Sequence, residues 1–348
     1  MRFLGAMAGM ALLGAWAFLL WGEAAWFADP ERTGSLAEFL SLGEIAAQVR
    51  VPVGQVMAMT IPFLLLLRFK KCVWGASIAT AYCLHPLFAL NFGSPLGHSP
   101  SDTYGLSYAT VSPPVTYMAA NVLVSNKRKD EVFAMIRSED PDVVGLSEVN
   151  KAWRDAAIES LGDIYPYHGS GSNVGEWTDR ACGGMLLSKY HIDSVYSPEL
   201  VIDGARLRPF VEVAMGGSTV TLLHTERPGR AWRLRARLSL LEQVADRDVS
   251  GPRVVMGDFN TTTSSPLLKR FLSATGLLDS RMGFGRQPTW NHFPGQVPVA
   301  ISNSLSKVWK PGFAIDHVFV SEELSVLERR TVPIPGSDHL AVLVTLKF

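Results

Sequence analysis

Val254-Val-Met-Gly-Asp-Phe-Asn260 is the stretch of sequence that decides the fold. Its apolar run, residues 254–256, has the length and composition of a strand inside a sheet. Asp258 and Asn260 follow the run directly, where a sheet can hold side chains in a fixed direction. Taken alone, these two residues fit an Asx turn equally well, because Asp and Asn hydrogen-bond their own backbone in turns. Recurrence of the pattern elsewhere would favour a functional site.

The pattern does recur, because other apolar runs also lead into polar or charged side chains. A single carboxylate in such a place is usually a cap or a turn residue; Glu148, for example, could cap a helix that begins near Asn150. Several on one scaffold can be aimed at one point, which predicts a shared site. The residues concerned are Asn121, Glu148, His224, Asp258, Asn260, Asp316, Asp338 and His339.

Beyond residue 116, short apolar runs alternate with helical patterns, which predicts a mixed α/β sandwich. Gly216-Gly217 separates two of the runs and indicates a hairpin, since glycine tolerates the positive φ of tight turns. Ser265 and Pro266 have the N-cap and first-turn positions of a helix. The predicted strands are 117–124, 143–146, 184–187, 210–215, 219–223, 254–256, 314–320 and 340–346, and the predicted helices are 129–138, 152–161, 231–244 and 266–274.

The apolar excess of the chain is concentrated in its first ninety residues. Residues 3–21 form a charge-free run long enough to cross a bilayer as a helix, and residues 51–67 and 73–90 form two further apolar runs. A cleaved signal peptide and buried core helices are the alternatives. No small-x-small cleavage site follows the first run, which favours a retained anchor. We therefore predict about three transmembrane helices.

Charges between these runs predict the orientation. The link at residues 68–71 is short and basic, whereas the link at residues 22–50 is acidic. By the positive-inside rule, the basic link is cytoplasmic, so the protein is expected to be a multi-pass cell-membrane protein with an extracytoplasmic C-terminal part. Apolar residues between 36 and 49 recur at helical spacing, which predicts a helix that lies on the membrane surface or packs on the first span.

Three parts of the chain follow: a membrane region at 1–90, a Gly-, Ser- and Pro-rich linker at 91–115, and a catalytic domain at 116–348. Lys plus Arg and Asp plus Glu both number 32, so the chain lacks the basic surplus of a general nucleic-acid binder. Its 3 cysteines form no CxxC pair, which argues against a disulfide framework or a zinc site.

The chain from about Tyr117 to its end resembles the endonuclease/exonuclease/phosphatase superfamily, which includes deoxyribonuclease I, exonuclease III, inositol polyphosphate 5-phosphatases and neutral sphingomyelinases. The ordered set of Gly257-Asp-Phe-Asn260, Ile315-Asp-His317 and Ser337-Asp-His339 carries the resemblance. Gln287-Pro-Thr-Trp290 resembles a segment that precedes the Ile-Asp-His run in this family. The resemblance implies a four-layer α/β sandwich of two packed mixed sheets flanked by helices. With apolar helices in front, the chain looks like a membrane-anchored bacterial branch.

The resemblance also implies roles. Glu148, Asn121 and Asp338 would offer oxygen ligands to Mg²⁺ or Mn²⁺. Asp258 would orient or deprotonate the attacking water, and Asn260 and His224 would contact the phosphate. His339, held by Asp316, would assist proton transfer or stabilise the charged transition state. Arg180 is a further candidate for phosphate binding, and the arginines that follow His224 either form a solvated helix face or meet an anionic substrate.

The sequence thus predicts a membrane-anchored, Mg²⁺-dependent phosphoesterase that hydrolyses a phosphate ester or diphosphate, with a lipid phosphate among the candidates. Membrane lipids are expected partners and no protein partner is inferred. A nuclease acting on extracytoplasmic DNA or RNA is the alternative, which the neutral net charge disfavours. A non-catalytic binding module on the same fold should have lost metal or base residues, and none of them is lost in this sequence. A purely structural membrane protein with a soluble cap gives no reason for these polar strand endings.

Overall fold

A computed structural model describes residues 2–24, 35–67, 69–92, 113–174, 176–179, 182–202, 204–290 and 312–348. Four helices come first and are followed by strands that alternate with four more helices. The helices are α1 (Arg2–Ala24), α2 (Ser35–Gln48), α3 (Arg50–Leu66), α4 (Lys70–Phe92), α5 (Lys129–Glu139), α6 (Lys151–Leu161), α7 (Ala231–Ala245) and α8 (Pro266–Thr275).

The strands form two six-stranded sheets and one two-stranded ribbon. The first sheet has the order β13-β14-β1-β2-β4-β3 and the second has the order β11-β12-β10-β9-β8-β5. Both sheets are mixed, since β1 pairs with β2 and β9 with β10 in parallel while the other pairs are antiparallel. The strands are β1 (Val115–Asn121), β2 (Val143–Val149), β3 (Tyr167–Ser172), β4 (Gly183–Ser188), β5 (Ser194–Tyr196), β6 (Leu200–Ile202), β7 (Ala205–Leu207), β8 (Val211–Met215), β9 (Ser218–His224), β10 (Arg253–Asp258), β11 (Leu278–Asp279), β12 (Asp316–Val320), β13 (Ser325–Pro333) and β14 (Leu340–Lys347).

Three apolar cores hold four layers together. One core lies between the sheets and includes Tyr117, Leu222 and Val342. A second joins the first sheet to α5 and α6, and a third joins the second sheet to α7 and α8. This is the predicted four-layer α/β sandwich. The central strands are buried on both faces, so their sequences are continuous apolar runs, which is why the sequence predicted them.

Local signals also behave as predicted. Gly216 and Gly217 both have positive φ and connect β8 to β9 as a hairpin. Ser265 caps α8 by accepting a hydrogen bond from the backbone N–H of Leu268. The helix α6 is capped by Asn150, whose side chain accepts from the Trp153 N–H at 3.0 Å. Glu148 is therefore free of the capping role that its position near this helix allowed.

Of the strands that the sequence did not predict, β3 and β13 are the edges of the first sheet. The sequence of β3, Tyr-His-Gly-Ser-Gly-Ser, has the composition of a turn. β13 carries three charged residues, exposes much of its length and contains a bulge between Val326 and Glu328. Edge strands often have such features because only one side is hydrogen-bonded, and they hide the apolar alternation.

The first apolar run forms α1, the second α3 and the third α4. Among the described residues, one helix is long and apolar enough to cross a membrane, at Ala6–Glu23. The apolar stretch of α3, Val53–Leu65, is shorter. One such helix near the N-terminus also fits a signal sequence, and the described residues give three spans no further support. Most of the predicted linker, residues 93–112, lies outside the described residues.

Candidate active site

Strand pairing in the second sheet places three predicted residues side by side. His224 is the last residue of β9, Asp258 is the last of β10, and Asp316 is the first of β12. Asp258 is the register partner of His224 on one side and of Asp316 on the other. The side chain of Asp258 is 2% exposed, and its Oδ2 lies 3.4 Å from His224 Nε2. His224, Asp258 and Asp316 therefore lie in one row across three neighbouring strands, with the two carboxylates next to each other.

The close approach of β9 to β10 requires a glycine immediately before Asp258. Gly257 has a φ of +133°, and a Cβ built on it would lie 2.0 Å from the carbonyl oxygen of Leu223. After Asp258, Asn260 also has positive φ, at 49°. The Asn260 N–H donates to Asp258 Oδ1 at 2.8 Å, which is the Asx turn that the sequence suggested. The Asx turn at Asp258 and Asn260 is therefore part of the candidate site.

The first sheet contributes Glu148 through a bulge. The pairing of β2 with β4 shifts register between Ser147 and Val149, and Glu148 between them has a φ of 61°. A bulge of this kind re-aims a side chain, and positive φ in a residue with a long side chain is uncommon. The Glu148 carboxylate accepts from the Val124 N–H at 3.2 Å and is 8% exposed as a residue. The bulge thus holds the Glu148 carboxylate near the C-terminal end of β2.

Asn121, at the end of β1, connects the two sheets. Its Nδ2 donates to Glu148 Oε1 at 3.2 Å and to Asp258 Oδ2 at 3.0 Å. Its Oδ1 accepts from the Leu123 N–H at 3.1 Å. Asn121 was predicted to be a metal ligand, and the structure places it within hydrogen-bonding distance of two acidic groups of the site.

His339 lies just before β14 and faces the second sheet. Its Nδ1 is 2.8 Å from Asp316 Oδ2, and its Nε2 is 3.9 Å from Asp258 Oδ2. Thr289 fixes this region, because its Oγ1 accepts from the Asp316 N–H and its carbonyl accepts from the Leu340 N–H. The segment that contains Thr289 thereby holds the beginnings of β12 and β14 together.

The electrostatics of the site follow from this burial. Burial, and then the neighbouring Asp316 carboxylate, raise the pKa of Asp258 to about 7. Burial alone lowers the pKa of His339, but the carboxylates of Asp316 and Asp258 outweigh it and raise that pKa to about 10. Burial and Arg208 lower the pKa of His224 well below its ordinary value. The carboxylates thus favour the protonated form of His339, burial favours the neutral form of His224, and burial beside Asp316 makes Asp258 more basic than an ordinary aspartate.

Two sets of residues in the described part of the chain could hold a metal ion. Asp258, Asp316 and His339 place ligand atoms within 4.8 Å of one another. The second set consists of Glu148 and Asp338, two acidic ligands that the sequence predicts, and both line the cavity beside Asp258. In the first set, the imidazolium of His339 already compensates the carboxylates. The second set has the hard oxygen donors that Mg²⁺ and Mn²⁺ prefer, so the residues present fit a divalent ion.

These residues open onto one cavity of about 440 Å³. Five of the predicted site residues line it: Glu148, Asp258, Asn260, Asp338 and His339. The remaining lining residues, most of which sequence reasoning did not assign to the site, are Ile45, Gln48, Val49, Arg227, Pro228, Trp290, Phe313 and Ile315.

Arg227 lines the cavity, which favours the second of the two roles considered for the arginines after His224. Arg237 instead is buried, so the solvated-face alternative is wrong for that arginine. Trp290 donates its indole N–H to Asp338 Oδ2 at 3.1 Å. Trp290 directly follows Thr289 in the Gln287-Pro-Thr-Trp290 segment, and this position is the sequence signal that could have placed Trp290 in the site. Arg180, the further candidate for phosphate binding, lies outside the described residues.

A family model described as "Endonuclease/Exonuclease/phosphatase family" matches residues 118–339. The chain belongs to the endonuclease/exonuclease/phosphatase family. Enzymes of this family hydrolyse phosphoric ester bonds with the help of divalent metal ions, and this protein is a metal-dependent hydrolase of that kind. The match covers every residue of the site described above except Ile45, Gln48 and Val49.

Solved structures share the family's fold. An endonuclease/exonuclease/phosphatase from Beutenbergia cavernae aligns with a TM-score of 0.54 and 21% identity over 68% of this chain and 72% of that one. The 3′ phosphatase NExo from Neisseria, bound to a product DNA hairpin, aligns with a TM-score of 0.51 and 19% identity over 66% of this chain and 98% of that one. D. rerio TDP2, in complex with a single-stranded DNA product, aligns with a TM-score of 0.50 and 14% identity over 68% of this chain and 100% of that one. No curated protein matches the chain.

Proposed function

We propose that this protein is a Mg²⁺-dependent phosphoesterase whose substrate is a phosphate ester or diphosphate of an apolar alcohol, reached at a membrane surface. The observation that carries the proposal is the composition of the cavity. Acidic and imidazole groups line the same cavity as a set of apolar side chains. Nucleotide substrates need polar and stacking contacts along a charged backbone, whereas a lipid phosphate needs a charged head site beside an apolar surface.

The apolar wall comes from both parts of the chain. Trp290 and Phe313 stand together, with ring centroids 6.1 Å apart, next to Ile315. Ile45 lies in α2, and Val49 is the residue between α2 and α3. An apolar group bound here would lose its contact with water, which stabilises binding by about 0.8 kcal/mol for each buried methylene. The wall therefore favours an alkyl or polyprenyl group over a sugar or a base.

Glu148, Asp338 and Asn121 would hold the metal ion, which would neutralise charge on a phosphate oxygen when bound. Asp258, with a pKa of about 7, is basic enough to accept a proton from the attacking water. The protonated His339, oriented by Asp316, is a cationic donor for the negative charge that develops on the phosphoryl oxygens. Asn260 and His224 complete the phosphate site from the side of the second sheet.

A membrane location is part of the proposal. The helix at Ala6–Glu23 supplies an anchor, and the exposed apolar side chains of Phe39 and Leu42 on α2 suit the surface of a bilayer. With α3 and α4 as further spans, the catalytic domain would be extracytoplasmic. In that arrangement the cavity, which α2 borders, would open close to the lipid headgroups.

The full-length protein in detergent, with Mg²⁺, Mn²⁺ or EDTA, tests the proposal on a panel of polyprenyl diphosphate, long-chain alkyl phosphate, inositol phosphate and single-stranded DNA. We expect metal-dependent turnover of the two apolar substrates, at least tenfold faster than that of the others, and its loss in His339→Ala. Faster turnover of DNA would replace the proposal with the nuclease alternative. Absence of both turnover and metal binding would favour a binding module.

A further inference from the structure

Glu44 of α2 is a buried carboxylate outside the family domain. It is 1% exposed, and its two carboxylate oxygens share the single hydroxyl hydrogen of Ser265, with Oγ 2.8 Å from Oε2 and 3.0 Å from Oε1. Its Oε2 also lies 3.4 Å from Nη1 of Arg237, which is equally buried. Ser265 is the N-cap of α8, and Arg237 lies in the middle of α7. One side chain of the N-terminal region is therefore built into two helices of the catalytic domain.

The pairing constrains both partners. A buried ion is stable only when it is paired, and removal of one partner leaves an uncompensated charge in the interior. Within the described residues, Arg237 Nε and Nη2 have no hydrogen-bond partner, so Glu44 is the carboxylate on which this guanidinium depends.

Two further carboxylates attach the N-terminal region to the same helices. Glu38 accepts a hydrogen bond of 3.1 Å from the Ala231 N–H, at the first residue of α7. The N-cap residue of that helix makes no side-chain cap, so Glu38 fills the role from another helix. Glu23, at the end of α1, lies 3.8 Å from Lys269 of α8. These contacts tie α2 to the catalytic domain at two points, Glu38 and Glu44, and α1 at a third.

The consequence of this docking lies in the cavity. Ile45 follows Glu44 directly, and Val49 lies one helical turn farther on the same side. Both line the cavity together with Asp258, Asn260 and His339. Ile45 remains 41% exposed although it is apolar, because it borders the cavity instead of the core between the helices. A Cβ built on Gly229, across the rim, would lie 3.5 Å from Ile45 Cδ1.

We infer that α2 and Val49, the residue after it, form part of the active site. Glu44 fixes α2 to the catalytic domain. Ile45 and Val49 form the specificity wall, which is the apolar surface that binds the apolar group of the substrate. This inference rests on the proposed function and adds to it the residues that select the substrate. The N-terminal region is then more than an anchor. Glu44 is a positioning residue, and Ile45 and Val49 are specificity-determining residues.

Turnover of two esters by the full-length protein in detergent and Mg²⁺ tests the wall. The variants are the double substitution Ile45→Asn, Val49→Asn and the control Leu42→Asn, an exposed apolar residue of α2 that does not line the cavity. For the double variant we expect kcat/KM for a long-chain alkyl phosphate to fall on the order of 10- to 100-fold relative to kcat/KM for p-nitrophenyl phosphate, mainly through KM. The control should keep the wild-type ratio.

An unchanged ratio in the double variant, or the same loss in the control, would overturn the wall. A wild type that hydrolyses only the soluble ester would overturn the proposed substrate instead, so the two failures are distinguishable. Hydrogen exchange tests the docking without any substrate. In Glu44→Ala we expect amide exchange in α2 to accelerate at least tenfold while β10 and β12 stay protected; unchanged exchange in α2 would contradict the positioning role.

Discussion

His339 Nδ1 lies 2.8 Å from Asp316 Oδ2, and this contact joins the two sheets at the active site. His339 stands just before a strand of the first sheet, whereas Asp316 begins a strand of the second. The carboxylate orients the imidazole and sustains its positive charge, so that Nε2 is directed toward the side where Asp258 lies. The geometry of the candidate site therefore depends on the registry between the sheets as well as on individual side chains.

The first prediction concerns this pair. Asp316→Asn keeps a hydrogen-bonding group beside His339 but removes the charge, so the imidazolium is no longer stabilised. We expect kcat to fall roughly 10²- to 10⁴-fold with little change in thermal stability. Glu322→Gln, an exposed carboxylate just past the same strand, is the matched control. Steady-state hydrolysis decides; a loss of less than about threefold in Asp316→Asn would show that His339 works without Asp316.

Glu148 is the test of the metal assignment. Glu148→Gln keeps the size of the side chain and one of its two hydrogen-bond acceptor oxygens but removes the charge and the other oxygen, so we expect the Mg²⁺ concentration for half-maximal activity to rise on the order of tenfold or more. The rise in melting temperature that Mg²⁺ produces should shrink in parallel. Glu159→Gln, on the exposed face of α6, should behave like the wild type. An unchanged metal requirement would move the ion to the Asp258, Asp316 and His339 cluster.

Gly257 gives a prediction about the scaffold. In Gly257→Ala the new Cβ would meet the Leu223 carbonyl oxygen at 2.0 Å, and the φ of +133° is itself unfavourable for alanine. We expect destabilisation of at least about 3 kcal/mol or failure to fold. Gly216→Ala separates the two effects, since that glycine also has positive φ but no neighbour within 4 Å. Denaturant midpoints measure both; equal losses would exclude the clash as the cause.

His317 predicts a pH dependence of stability. It is fully buried between Phe259 and Phe319 and contacts the Thr261 carbonyl through Nε2 at 2.8 Å. Burial, and then Arg281, lower the pKa of His317 to about 3. The folded state thus favours the neutral ring, whereas the unfolded chain takes up a proton below about pH 6.5.

Stability from this histidine is therefore complete above pH 6.5 and is lost as the pH falls toward 3, by roughly 1.4 kcal/mol per pH unit. His317→Gln keeps a donor for the carbonyl but does not titrate. We expect the free energy of unfolding of the wild type to decline more steeply than that of the variant between pH 6.5 and 4.5. Parallel declines in chemical denaturation would show that His317 does not contribute.

Much of this architecture was predictable because the central strands are buried on both faces, which makes their apolar runs visible in the sequence. The polar residues at the strand ends were predictable for the same reason, since each interrupts such a run. Asp258 and Asn260 illustrate this. The edge strand β3 was not predictable, because a strand bonded on one side needs little apolar sequence and its Gly and Ser residues indicate a turn.

The cavity wall was missed for a different reason. Glu44 and Arg237 are 193 residues apart along the chain, and no local pattern shows that a helix of the N-terminal region packs on a helix of the family domain. The amphipathic pattern of α2 predicted a surface helix but not its partner. Likewise, Asn121 was predicted as a ligand from its position in a strand, and its bridging contacts with Glu148 and Asp258 depend on how the two sheets meet.

The most direct test of the central claim is release of inorganic phosphate or alcohol from a long-chain alkyl phosphate or polyprenyl diphosphate, measured for the wild type and for Asp258→Asn in Mg²⁺ and in EDTA. The account predicts turnover in Mg²⁺, none above background in EDTA, and a loss of at least about 10³-fold in Asp258→Asn, whose amide cannot accept a proton from water. Turnover that survives EDTA or the substitution would contradict it.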